Sequence, residues 1–356
     1  MLRPAISPRR RAALSALSAA TLALTLAACG STGTSPTPSG DQGSGEAQKV
    51  VLYSGRSEEL VGALVADFTK ATGIPVEVRY AGTAELAAQL LEEGDRSPAD
   101  VFFSQDAGAL GALEQAGLLS PLPAETLAKV PTEYAGEAGT WVGTSARARV
   151  VFYNSDLVPV ADLPTSVFDL TDPAWKGKVG IAPSNASFQS FVTAMRVSAG
   201  EEATAAWLEG MVANDVEIYE GNSAIRDAVD AGQVSLGLSN HYYWFEKAAE
   251  VGADTLKVQN HFLPPGDAGS LVNVAGAAIL ATGADNPSSE AFVDYLLSAA
   301  GQKYFSSTTF EYPLVAGVAT TEGLPALDTL RGPDIALGQL ADLAGTQAML
   351  EQVGLL

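Results

Sequence analysis

Two adjacent tyrosines, Tyr242 and Tyr243, stand in Asn240-His241-Tyr242-Tyr243-Trp244, directly after the apolar run Leu236-Gly237-Leu238. A free phenol titrates near pH 10, but a bound cation drives its proton off and leaves a hard, anionic oxygen donor. Neighbouring side chains of a regular strand face opposite sides, so both phenols reach one ion only at a loop-to-helix turn. The competing reading of Tyr-Tyr-Trp-Phe is aromatic core, and the segment by itself leaves both open. Three other polar clusters follow apolar runs: Ser54-Gly55-Arg56-Ser57, Ser104-Gln105-Asp106 and Pro183-Ser184-Asn185-Ala186-Ser187. Arg56 lies in the first of these, and Arg147 in Ser145-Ala146-Arg147-Ala148-Arg149. A guanidinium holds an oxyanion through two parallel hydrogen bonds, or pairs with a carboxylate.

The elements that must position these residues alternate. Val50–Tyr53 reads as a buried strand, and residues 58–72 as a helix with apolar spacing at Leu60, Leu64, Val65 and Phe68, stopped by Gly73. Strands follow at 76–80, 100–103, 150–153, 179–182 and 236–238, and helices at 84–93, 108–116, 188–199, 203–213 and 224–231. A strand-rich piece, 271–280, precedes a helix at 288–300. This alternation implies an α/β layer with mostly parallel pairing. Ligands of such sheets bind at the carboxyl edge, and the four polar clusters above all sit at strand ends.

The N-terminus reads as an export signal. Arg3, Arg9, Arg10 and Arg11 precede an uncharged Ala/Leu-rich run that ends in Leu26-Ala27-Ala28-Cys29-Gly30, a lipobox pattern. Cys29 is the chain's single cysteine, which excludes disulfides and makes it the expected lipidation site. Residues 1–28 are then a signal peptide and 29–48 a Gly/Ser/Pro-rich tether unable to bury a core. Losing the four arginines takes the formal charge from −21 to −25. That disfavours nucleic acid and anionic membrane surfaces as partners. With one cysteine, two histidines and no G-x-S-x-G elbow, the sequence offers no hydrolase triad and no zinc set, so an enzyme is not expected.

Taken together, the segments from about Val50 to Leu314 resemble the ferric-ion-binding proteins of bacterial ABC importers. The resemblance is carried by Tyr53-Ser54-Gly55-Arg56, by Glu92-Glu93-Gly94-Asp95-Arg96-Ser97-Pro98-Ala99-Asp100-Val101-Phe102, and by Trp175-Lys176-Gly177-Lys178-Val179-Gly180. Asn240–Trp244, Gly266-Asp267-Ala268-Gly269 and Glu311-Tyr312-Pro313-Leu314 complete it. It implies an α/β, two-lobed periplasmic-binding-protein fold (type II), each lobe a mixed sheet flanked by helices, with a two-segment hinge. By analogy the N-terminal lobe is 49–145 plus 271–320, and the C-terminal lobe 146–270 plus 321–356.

The resemblance further implies Tyr242 and Tyr243 as ligands of Fe3+. Three positions depart from the family pattern. Ser57 stands where some members have His, Gln105 where some have Glu, and Asn185 where others supply a third tyrosine. Two phenolates leave most of an octahedral shell open, so a synergistic anion (carbonate, phosphate or citrate) is expected to complete it. Arg56, Arg147, Asn185, Ser187, Asn222 and Asn240 are the expected anion-holding residues, with Ser57, Gln105 and His241 beside them. The implied partners are an ABC importer permease and the membrane, the latter only through the lipid on Cys29, for a monomer on the extracytoplasmic face. The alternative is a binding protein for a ferric chelate or another small solute, such as a phosphonate or a polyamine.

Overall fold

The computed structural model describes residues 48–356; the expected signal peptide, the lipobox with Cys29 and nearly all of the tether lie outside them. The chain runs β1 (Val50–Ser54), α1 (Glu58–Thr72), β2 (Val76–Tyr80), α2 (Thr83–Glu93), β3 (Val101–Ser104), α3 (Ala107–Gln115), α4 (Ala124–Leu127) and β4 (Trp141–Asn154). It continues β5 (Val179–Ile181), α5 (Ala186–Ala199), α6 (Glu201–Ala213), β6 (Glu217–Ile218), α7 (Asn222–Asp230), β7 (Leu236–Asn240), α8 (Tyr242–Val251) and β8 (Val258–His261). It closes with β9 (Val272–Ile279), α9 (Pro287–Leu296), α10 (Ala299–Ser307), β10 (Tyr312–Pro313) and α11 (Leu343–Gln352). Helix α1 shows why the pattern was readable: Val61, Leu64, Val65 and Phe68 bury one stripe, and Gly73 closes it at φ 76°, donating its N–H to Thr69. Among the described residues no helix is long and apolar enough to cross a membrane.

Two sheets make two lobes. In the first, β1 pairs parallel with β2 and β3, β3 runs antiparallel to β9, and β9 and β10 run antiparallel to β4. In the second, β4 runs antiparallel to β7 and β8, while β5 pairs parallel with β6 and β7. The pairing is therefore mixed, not mostly parallel as the alternation implied. The cause is topological. The chain enters the second lobe along β4 and returns along β9, so those two strands meet head to tail. Strand β4 belongs to both sheets: Trp141–Ala148 pairs with β9, and Arg149 onward pairs with β7. At the changeover the Arg149 N–H donates to the Leu271 carbonyl at 2.8 Å, so the two crossings lie side by side.

The C-terminal stretch, expected with the second lobe, touches both. Residues Leu337–Ala341 lie on α3 of the first lobe, and α11 lies on α5 of the second. Arg196 pairs with Asp342 at 2.7 Å, and Thr193 meets Thr346 at 2.7 Å. Gly108 and Gly111 of α3 admit this segment, since a Cβ at Gly108 would stand 2.5 Å from the Leu340 carbonyl oxygen. Gly108→Ala should therefore destabilise the fold by about 1–3 kcal/mol, read by urea unfolding, because backbone cannot yield as a side-chain tip can.

Candidate functional site

The tyrosine pair sits where it can serve a common ion. Strand β7 ends at Asn240, His241 makes the turn, and α8 begins at Tyr242, giving the loop-to-helix geometry that lets adjacent phenols converge. Their rings stack with centroids 4.3 Å apart at 28°. Tyr242 is buried and Tyr243 half-buried. Both occupy the first turn of a helix, whose positive end favours anionic oxygen. Burial lifts the Tyr242 phenol well above its ordinary pKa, Tyr243 and Glu311 add to this, and Arg147 opposes it. At any working pH that oxygen keeps its proton until a cation displaces it.

Both tyrosines open on a cleft of about 480 Å³ between the lobes. Gly55, Ser57, Thr83 and Gln105 line it from the first lobe, and Ser184, Asn185, Ser187 and Glu220 from the second. A larger surface groove of about 540 Å³ near Trp175 gathers none of the candidate residues. Asn185 caps α5: its Oδ1 accepts from the Ser187 N–H at 3.0 Å and from the Ser187 hydroxyl at 2.6 Å. Asn222 Nδ2 donates to Asn185 Oδ1 at 3.3 Å and to Ser187 Oγ at 3.1 Å. The start of α5 thus faces the cleft with its orphan N–H groups, an arrangement that suits an anion. Asn240 is buried behind, and its Nδ2 donates to nothing.

The arginines divide. Arg56 is committed elsewhere. It forms a fully buried ion pair with Glu311 at 2.6 Å, donates to Ser145 at 3.2 Å, and lies over the Phe103 and Phe305 rings. It does not line the cleft, because its carboxylate partner draws it into the first-lobe interior. Arg147 is also buried and donates through Nη2 to the Gln105 carbonyl, leaving Nε and Nη1 without acceptors. Glu311, Tyr242 and Asp106 surround its charge. Asp106 caps α3 by accepting from the Ala109 N–H at 3.2 Å; burial raises its pKa.

His241 is held as a neutral prop. Its Nδ1 accepts from the Ala148 N–H at 3.1 Å, so Nε2 carries the hydrogen and donates to the Phe310 carbonyl at 3.0 Å. Burial, ahead of every other influence, lowers its pKa to about 4. With both nitrogens used, His241 braces the strand crossing under the tyrosines rather than reaching the cleft.

Sequence reasoning passed over Arg149. It alternates with Arg147 across Ala148, so both point to one face of β4, and that period of two was the available signal. It also missed two cleft-lining carboxylates, Glu85 and Glu220. Both are exposed, Glu85 on the amphipathic helix α2 and Glu220 just before Gly221, with nothing local to mark them.

A mixed-sheet, two-lobed molecule with a polar interlobe cleft is the architecture of an exported solute-binding protein. The chain belongs to the bacterial extracellular solute-binding protein family, whose sequence profile matches residues 96–334. It is 37% identical over 313 residues to the Fe(3+)-binding periplasmic protein of Serratia marcescens, covering 88% of this chain and 92% of that one. Its fold matches iron-bound HitA from Pseudomonas aeruginosa with a TM-score of 0.81 at 36% identity, over 86% of this chain and 99% of that one. It also matches the Trichodesmium protein (IdiA, FutA) in complex with iron and citrate, TM-score 0.74 at 31% identity, over 86% and 100% of the respective chains.

Proposed function

We propose that this chain binds ferric iron between its lobes and delivers it to an ABC importer, anchored outside the cell membrane by lipid on Cys29. The observation that carries the reading is the stacked pair Tyr242 and Tyr243 at the start of α8, facing the interlobe cleft. Two phenolates supply hard anionic donors for a hard trivalent cargo. A synergistic anion fills the remaining positions, held by the start of α5 with Asn185, Ser187 and Asn222, and by Asn240 and Arg147 behind them. Ser57 and Gln105 line the facing wall, and Arg56 supports it through Glu311. The relatives' names, which specify ferric iron, support the cargo; the lipobox supports the anchor. Residues 49–145 with 271–320 form the lobe that supplies the facing wall, and residues 146–270 the lobe that carries the tyrosines.

The chain without residues 1–28, titrated with ferric salt in bicarbonate, phosphate or citrate, should develop a visible phenolate-to-iron charge-transfer band. A colourless titration in all three anions would sink the ferric reading, and a band in citrate alone would favour a ferric chelate as cargo. The pH dependence has a fixed sign. Each phenol loses a proton on taking iron, so affinity falls as pH falls, by about tenfold per proton per unit. With both tyrosines engaged the loss from pH 7 to pH 6 is about a hundredfold, measured at constant anion.

A further inference from the structure

Arg149 is a buried cation that no carboxylate answers. It is 3% exposed, and it belongs to none of the ion pairs found among the described residues. Its guanidinium lies 5.7 and 5.3 Å from the ring centroids of Phe188 and Phe191. Its hydrogen bonds are long: Nη1 to Ser187 Oγ at 3.4 Å and to Asn240 Oδ1 at 3.5 Å, Nη2 to the Leu238 carbonyl at 3.3 Å. Nε has no acceptor at all, and neither does the neighbouring Asn240 Nδ2 have anything to donate to. The titratable groups that act on Arg149 are the Tyr243 and Tyr242 phenols and the Arg147 guanidinium. Arg147 differs in having Glu311 and Asp106 beside it. An unpaired charge away from water is unfavourable, and a bound ligand of opposite charge would relieve that cost.

We propose that Arg149 is the positioning residue that couples ferric loading to a multiply charged anion. The inference rests on the ferric reading above. Charge balance gives the sign. When ferric iron enters alone, three positive charges arrive and two phenol protons leave, so the site becomes more positive by one, and the fixed guanidinium opposes it. When a dianion enters with the iron, the site becomes more negative by one, and the same guanidinium favours it. A monoanion leaves the balance unchanged. Backbone pairing of Arg149 with Asn240 places this charge at the root of the tyrosine turn, and its contact with Ser187 places it under the start of α5. In that low-dielectric layer the coupling is strong enough to sort anions.

The test compares wild type, Arg149→Gln and Arg149→Lys by ferric titration at one pH, with phosphate as the multivalent anion and with acetate as the monovalent one. The readout is the ratio of ferric affinities in the two anions, followed by the charge-transfer band. Arg149→Gln should lower that ratio about tenfold or more, while Arg149→Lys, which keeps the charge, should hold it within about threefold. The Arg149→Gln apoprotein should melt no lower than wild type, since it sheds an unpaired buried cation; a purely structural arginine would give the opposite. An unchanged ratio in Arg149→Gln, with the wild-type band present, overturns the coupling alone. A wild type that shows no band in either anion overturns the ferric reading with it. If Arg149→Gln does not fold, Arg149→Lys decides: collapse of the ratio despite the retained charge overturns the proposal.

Discussion

Tyr242→Phe should abolish most of the charge-transfer band and weaken ferric binding by more than about a hundredfold, beyond the 10- to 100-fold typical of residues that only support a ligand. The substitution is narrow. Phenylalanine preserves the stack on Tyr243 and the burial, and removes one oxygen. Apoprotein stability should therefore move by no more than about 1 kcal/mol. Tyr243→Phe should act in the same direction, leaving a single phenolate on the ion. Iron titration followed by visible absorption, with thermal melts of each apoprotein, separates loss of ligand from loss of fold. Retained affinity and colour in both variants would remove the tyrosines from the site.

Glu311→Ala should cost about 3–5 kcal/mol of unfolding free energy, the largest stability effect expected of any single site described above. Both side chains of the Arg56–Glu311 pair are fully buried. Removing the carboxylate strands the Arg56 guanidinium against Phe103 and Phe305 with only Ser145 to accept from it. It also deprives the Thr309 hydroxyl of an acceptor at 2.8 Å and takes away one of the carboxylates beside Arg147. Arg56→Met combined with Glu311→Leu should recover much of the loss, because two matched apolar side chains leave no uncompensated charge. Equilibrium urea unfolding of the single and double variants gives the comparison. A Glu311→Ala protein within 1 kcal/mol of wild type would mean that water reaches Arg56.

Regular amphipathic elements were legible. Helix α1 occupies the span its apolar stripe and Gly73 marked out, and β1, β2 and α2 fall within a residue of their expected positions. Strand β4 was not: only Val150–Tyr153 read as strand, whereas the strand begins at Trp141. Its Gly-Thr-Ser-Ala-Arg-Ala-Arg half looks like a polar loop, yet it is buried almost throughout because it lies between the lobes, covered on both faces. Local pattern cannot report a burial that a second lobe supplies. The same limit governed the arginines. Arg56 carried the same local signature as a ligand-gripping residue, and its actual partner stands 255 residues away in the sequence. The tyrosine turn stood out as a candidate metal site only through the surrounding resemblance, since Tyr-Tyr-Trp-Phe taken alone suits an aromatic core equally well. Arg149 was visible in the two-residue alternation, but its lack of a carboxylate partner is a three-dimensional fact.

The sharing of β4 between the lobes, with β9 as its partner in the first sheet, also dictates the order in which the molecule can be made. Strand β3 pairs with β9 across the register Ser104 to Gly276, and β4 cannot fill both sheets until β7 and β9 exist. A nascent chain therefore carries an unfinished sheet edge from β3 onward, through the whole synthesis of the second lobe. Contacts of such long sequence separation close late and slowly. No fragment ending before Val272 completes either the first sheet or the pairing of β4, so truncated products should be protease-sensitive chains rather than isolated lobes.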